Sequence, residues 1–330
     1  MYRVSLGITT SMSVETTGWI AAGADSLGAD GVWIGEDIGV GQDTNTLAAS
    51  VILQSKRVRV GTGIIPIAPH NTSTIARASI ALQEMANGRY ALGIGIGGVQ
   101  DIQRIGITLR RPVTELRRTV NILRALWSGQ SVSKVTELHN LREYQLRLRE
   151  AVDIPVFFGV RGPKMLALAG EISDGVILSG PRDYLKKAVE MVDSAARKAG
   201  RDPSGVEKIV WVPTVPTFRG MKERTGRKIV ALIVADTPSV VLDMLDLNRD
   251  DLERIRSTVS REGPKAAAAM VSREILDAFA ICGSKEYMVD RFDDLSRTGA
   301  TEIVLGPPYS GEWREAIREI LQEVASRRGG

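Results

Sequence analysis

Apolar runs of strand length alternate with amphipathic stretches along nearly the whole chain, and this alternation limits the fold more than any other feature. Side chains repeat with period two along a strand and 3.6 along a helix, so the pattern reads as repeated βα units. Strands are predicted over 3–9, 31–34, 58–65 and 90–94, and helices over 13–27, 44–54, 74–85 and 112–127. After an interruption come strands over 156–159, 176–178, 209–213 and 302–305, with helices over 163–172, 183–199 and 313–326. Ser13 suits an N-cap, Pro112 a first helical turn, and Gly129 a helix stop. Eight such units favour a closed (β/α)8 TIM barrel over an open sheet. Two segments break the rhythm. Residues 131–153 are polar and irregular, with room for a short hairpin or helix, and 221–281 are mainly helical by pattern. Both are read as insertions in a single barrel domain spanning 1–330, the second placed where barrel insertions build substrate pockets.

Charge and composition remove several classes of function. A net charge of +4 spread over helical faces, with only 5% aromatic residues, lacks the basic stripe of a nucleic-acid binder. The same mild positive field favours capture of anionic small molecules. The single cysteine, Cys282, excludes a disulfide framework and a Cys-rich zinc site, and fits a reducing cytoplasm. No apolar run is long enough for a membrane span, and the first residues do not read as a signal peptide. No histidine–carboxylate cluster has metal-ligand spacing, so no metal is expected. No G-x-S-x-G elbow is present either, which leaves hydrolase readings without support.

Candidate chemistry gathers at the ends of the predicted strands. Gly93-Ile94-Gly95-Ile96-Gly97-Gly98 contains a G-x-G-x-x-G, but no acid closes a second strand about 20 residues on, as a dinucleotide site requires. Two readings stay open for it: a tight turn, and a backbone that lets a flat ligand approach closely. Gly159-Val160-Arg161-Gly162-Pro163-Lys164 joins a strand to a helix whose free N–H groups would face an anion. Ser179-Gly180-Pro181-Arg182 repeats that arrangement one unit later, where barrels often bind phosphate. An anion site is the favoured reading of these two turns, and simple helix capping is the alternative. Glu36 and Asp37 follow the second strand; adjacent extended residues point opposite ways, so at most one faces the pocket. His70 follows the third strand and is the better placed histidine, as an acid/base or as a structural residue; His139 falls in the irregular segment.

At this point the chain resembles a known family. The run from Ala78 to Gly95, including Leu82-Gln83-Glu84-Met85-Ala86-Asn87-Gly88-Arg89-Tyr90-Ala91-Leu92-Gly93-Ile94-Gly95, is similar to the A-x-x-T-L-D-x-L-S-G-G-R-x-x-L-G-I-G stretch of the bacterial-luciferase-like superfamily. Pro112-Val113-Thr114-Glu115-Leu116-Arg117 through Trp127-Ser128-Gly129 resembles the helix after that family's fourth strand. Ile154-Pro155-Val156-Phe157-Phe158-Gly159 and Leu168-Ala169-Gly170-Glu171-Ile172-Ser173-Asp174-Gly175-Val176 are closest to its deazaflavin-dependent branch, nearest to the methylenetetrahydromethanopterin reductases. The resemblance implies coenzyme F420, with FMN as the alternative, bound at the C-terminal face of the barrel. It implies hydride transfer to or from a small organic substrate, of which a one-carbon carrier is the nearest analogue, in a homodimer or higher homo-oligomer. An FMN-dependent monooxygenase or reductase, and a non-catalytic flavin-binding subunit, are the competing readings.

Carried over residue by residue, the cofactor positions are Thr62, Gly63 and Ile64, then Gly95, Gly97 and Gly98, then Gly159, Val160, Arg161, Gly162 and Pro163, and finally Ser179, Gly180 and Arg182. The resemblance places a non-proline cis peptide at Gly63-Ile64, backing the deazaflavin ring. Three positions depart from the family. Glu36-Asp37 stands where the branch often has Asp-His, Gly7 where the reductase has a first-strand Glu, and Gly98 where it has an acid. Those departures leave Glu36 as the first candidate proton donor and His70 as the second.

Overall fold

The computed structural model describes residues 2–329. Eight parallel strands close into a barrel: β1 (Arg3–Thr9), β2 (Gly31–Gly35), β3 (Arg59–Thr62), β4 (Tyr90–Gly95), β5 (Val156–Gly159), β6 (Gly175–Leu178), β7 (Glu207–Pro216) and β8 (Glu302–Gly306). Closure is made where β8 pairs with β1, in the register Arg3↔Glu302 to Leu6↔Leu305. The outer helices are α1 (Val14–Gly23), α2 (Thr44–Gln54), α3 (Thr72–Met85), α4 (Pro112–Trp127), α5 (Pro163–Ile172), α6 (Arg182–Lys198), α7 (Lys285–Ser296) and α8 (Trp313–Gly329). The alternation therefore predicts the architecture correctly.

Local chemistry sets the element ends. The Ser13, Asp43, Asn71 and Ser284 side chains each accept a backbone N–H of the first turn of the helix that follows. Helix α1 stops at Gly23, short of the predicted 27, because the chain turns through Gly28 at φ 77°. The predicted strand over 58–65 is broken into β3 and a two-residue pairing at Ile65–Pro66, and the peptide between Gly63 and Ile64 is cis. A short helix, Val99–Arg104, precedes α4. Strand β7 runs beyond its predicted end because Thr214–Pro216 pair with Ile281–Gly283.

The two irregular segments take different forms. Within 131–153 lies an antiparallel hairpin, Val132–Val135 with Asn140–Tyr144. Within 221–281 lie helices Glu223–Asp236, Ser239–Leu242, Arg249–Glu262, Pro264–Ala267 and Arg273–Phe279. Buried residues of this segment, among them Val230, Ile255 and Leu276, join the same apolar cluster as the barrel helices.

Inside the barrel the side chains stand in layers. At the N-terminal end, Arg3, Arg59, Glu207 and Glu302, each the first residue of its strand, form an ionic network. Above it Trp33 and Phe157 meet edge to face with centroids 5.3 Å apart, and the Arg59 guanidinium lies 5.2 Å from each ring. Ile177, Ile209 and Val304 complete this inner cluster, with Ile64 and Trp211 packed against it. The last two are only partly buried and stand toward the C-terminal ends of the strands.

Candidate active site at the barrel mouth

The mouth is built from the residues that follow the strands. Glu36 comes directly after β2, and His70 lies between Ile65–Pro66 and α3. His70 Nε2 and Glu36 Oε1 are 2.6 Å apart, and the other Glu36 oxygen accepts a 2.8 Å hydrogen bond from Thr44 Oγ1 at the start of α2. The carboxylate is thus held from both sides. The Glu36 side chain is 10% exposed and that of His70 25%, so the imidazole is the more open partner. The hydrogen bond to Glu36 raises the His70 pKa above its ordinary value; burial opposes the shift, and the Glu36 and Asp43 charges add to it.

Asp37 turns the other way. Its carboxylate accepts the Gly39 N–H at 3.0 Å, and its own N–H donates to Thr10 Oγ1 at 2.8 Å. His139 is far from this pair in role. It lies buried in the turn of the hairpin, 2.9 Å from Thr72 Oγ1 and 3.2 Å from Thr119 Oγ1, and burial lowers its pKa. His139 is thus engaged by α3 and α4 residues, while His70 stands at the mouth beside Glu36.

The candidate cofactor positions fall on one rim. Gly63 and Ile64 carry the cis peptide, and the Gly63 N–H donates to the Ile34 carbonyl at 2.7 Å. Gly97 has φ 83°, and a Cβ there would stand 2.9 Å from Pro66 Cβ, so both turn geometry and close approach require glycine. Gly95 accepts the Ile67 N–H, while Gly98 is the N-cap of Val99–Arg104. Gly162 is the N-cap of α5 with no side-chain cap, and a Cβ added to it would meet nothing within 4 Å. Free space therefore lies ahead of the first turn of α5, as an anion at a helix N-terminus needs. Ser179 and Gly180 (φ 144°) lead to Pro181, the N-cap of α6, and Arg182 is exposed at its first turn.

Three candidates have other engagements. Thr62 is fully buried and its hydroxyl is bonded at 2.8 Å to both the N–H and the carbonyl of Gly93, so it supports the bulge from within and offers no open atom. Val160 is buried as well, which leaves only its backbone near the turn. The Arg161 guanidinium donates to Thr237 Oγ1 at 3.2 Å, and the Tyr184 hydroxyl holds the Arg161 carbonyl at 2.5 Å. Arg161 thereby ties the 221–281 insertion to the α5 turn. Thr44, Thr237 and Trp211 were not singled out from sequence. Thr44 looks like an ordinary first-turn residue, and Trp211 like one more apolar strand residue.

Fold and site together define a class: a (β/α)8 barrel with a Glu–His pair, a cis peptide after the third strand and two helix N-termini on its C-terminal face. Comparison with known proteins makes this specific. The sequence profile of the luciferase-like monooxygenase family matches residues 1–302, and the chain belongs to that family. It is 29% identical over 310 residues to 5,10-methylenetetrahydromethanopterin reductase of Archaeoglobus fulgidus, covering 91% of this chain and 92% of that one. It is 26% identical over 206 residues to the F420-dependent glucose-6-phosphate dehydrogenase of Kineococcus radiotolerans, covering 58% and 61%. Its fold superimposes on the coenzyme F420 dependent tetrahydromethanopterin reductase of Methanopyrus kandleri with a TM-score of 0.88 at 20% identity, over 99% of both chains. Among the described residues no cluster of metal-ligating side chains occurs, and no helix is long and apolar enough to cross a membrane.

Proposed function

We propose that this chain is a coenzyme F420-dependent oxidoreductase that moves a hydride between the deazaflavin and a small organic substrate. The observation that carries the reading is the likeness to 5,10-methylenetetrahydromethanopterin reductase along 91% of the chain. The residues at the mouth fit the cofactor. Gly162 leaves space before the α5 N-terminus for an anionic group, and Gly97 lets the turn after β4 pack against Pro66. Gly63 and Ile64 would back the ring, and Gly159 to Pro163 with Ser179 and Gly180 would hold the phosphate-bearing arm.

When bound, the deazaflavin supplies a two-electron hydride donor or acceptor. The chain's own residues position the reactants and manage a proton. Thr44 fixes Glu36, Glu36 orients His70 and raises its pKa, and the imidazole is the more open of the pair. Where the substrate carries a carbonyl, His70 would donate its proton to that oxygen, and would take the proton back in the oxidative direction. His70 is therefore the proton donor and Glu36 its orienting partner, the reverse of the order expected from sequence. A homodimer in a reducing cytoplasm agrees with the family resemblance and with the one buried thiol, Cys282.

Titration of the purified protein with F420 and with FMN tests the reading. Saturable F420 binding with little FMN binding is expected. Tight FMN binding without F420 binding would favour an FMN-dependent monooxygenase, the reading that the family's name supports.

A further inference from the structure

The floor of the mouth consists of two side chains, Ile64 and Trp211, each seated among glycines. A Cβ on Gly95 would stand 3.3 Å from Ile64 Cδ1, so the isoleucine fills the space beside β4 and β5. Trp211 fills the other half. Followed round its rim, the indole presents Nε1 and Cδ1 to Gly306, 2.5 and 2.8 Å from where a Cβ would stand. Next come Cζ2 and Cε2 at Gly7 (2.7 and 3.0 Å), Cη2 at Gly35 (3.7 Å), and Cζ3 and Cε3 at Gly63 (3.0 and 3.4 Å). Those glycines belong to β8, β1, the end of β2 and the residue after β3, which is the order in which the strands stand round the barrel.

A ring whose rim follows the strand order lies across the lumen. One face of the indole then rests on the inner cluster with Ile177 and Val304, and the other looks out of the mouth. Trp211 is only partly buried, as an outward-facing ring requires. The open face is bounded by a rim that runs past Gly63 and Gly35, the residue before Glu36. It therefore lies between the proposed ring position and the proton-bearing pair.

We infer that the outward face of Trp211 is the platform on which the substrate lies, and that it selects a flat, uncharged, conjugated group at the substrate's reacting end. This rests on the proposed function, because it takes the cofactor ring to lie against Gly63 and Ile64. An indole face carries the negative side of its quadrupole, which favours an offset-stacked π-system and disfavours a carboxylate or phosphate. Trp211 is thus a specificity-determining residue. It is rigid because its rim is enclosed on four sides, so the stacked partner is held in one plane as hydride transfer requires.

The test uses F420-loaded protein, with quinoxaline as a flat neutral probe and cyclohexanecarboxylate as a non-planar anion, both titrated calorimetrically. Loaded wild type is expected to bind quinoxaline at least tenfold more tightly than the anion. Trp211→Phe, which keeps a flat ring, should stay within about threefold, and Trp211→Ala should lose at least tenfold. F420 affinity should vary less than about twofold across the three proteins. If Trp211→Ala does not fold, Trp211→Leu fills the volume without a flat face and should show the same loss. Equal quinoxaline binding with and without the aromatic ring, or none by loaded wild type, overturns the inference. So does a loss that appears only together with lost F420 affinity, since the floor would then serve the cofactor. A wild type that takes up no F420 overturns the proposed function instead, and this is seen before any probe is added.

Discussion

Replacing Glu302 with glutamine should destabilise the barrel from its closed end. Glu302 is fully buried; Oε1 accepts from Ser5 Oγ at 2.6 Å and Trp33 Nε1 at 2.5 Å, and Oε2 meets Arg59 and, at 2.9 Å, Arg3. Burial alone would raise its pKa, but Arg59, Ser5, Arg3 and Trp33 together hold it below the ordinary carboxylate value. The amide keeps the shape and can still accept from Ser5 and Trp33. Its NH2 group, however, then points at the Arg59 donors. Breaking a buried pair typically costs about 3–5 kcal/mol. Glu207 still holds Arg59 through two bonds of 2.9 and 3.0 Å, and the Arg3 side chain is 41% exposed, so the lower end applies, about 3 kcal/mol. An unfolding entropy of roughly 2.1 cal/mol/K per residue makes this a drop of about 4 °C in melting temperature for 330 residues.

The assay is thermal unfolding of wild type and Glu302→Gln across pH. A group whose folded pKa is depressed stabilises above its unfolded value, near 4.3, and loses that contribution as pH falls through the folded pKa. The gap between the two proteins should therefore be full at neutral pH and close in acid. A melting temperature within about 1 °C of wild type at pH 7 would refute the reasoning, because the carboxylate would then not be holding Arg59.

Four further outcomes are expected. Glu36→Gln should lower turnover about 10²–10⁴-fold with little change in F420 affinity, measured by steady-state kinetics beside binding titration. For reduction of a carbonyl substrate, activity should fall as pH rises through the raised His70 pKa, and Glu36→Gln should move that limb to lower pH. Gly162→Leu should leave the melting temperature near wild type, since a Cβ there meets nothing within 4 Å, yet weaken F420 binding at least tenfold; unchanged affinity would place the anion elsewhere. His139, whose folded pKa is lowered, contributes stability that is full above its unfolded value near 6.5 and is lost as pH falls below it, so His139→Gln should flatten the melting profile below about pH 6.5.

Much of the scaffold is legible in the chain because strand and helix periods are local. A few residues around 3–9 or 112–127 suffice to show which face is apolar, and eight such units in order leave the barrel as the natural closure. The turns at Gly97 and Gly162 are legible for the same reason, since backbone geometry and helix ends depend on near neighbours. Glu36 and His70 could be named as polar residues just past strands, but not as a pair. Thirty-four positions separate them, and only the docking of β2 beside β3 brings their side chains to 2.6 Å.

The interior of the barrel lay beyond the sequence altogether. Glu302 reads as an ordinary acid at a strand start, and Arg59 as an ordinary base, until closure puts both under Trp33. The resemblance picks out Gly7 and Gly63 one at a time, but nothing local shows that with Gly35 and Gly306 they make room for one indole. Which residues meet across a lumen depends on how far each strand is staggered against the next around the closed sheet. That stagger is set by all eight pairings at once, so no single stretch of sequence contains it.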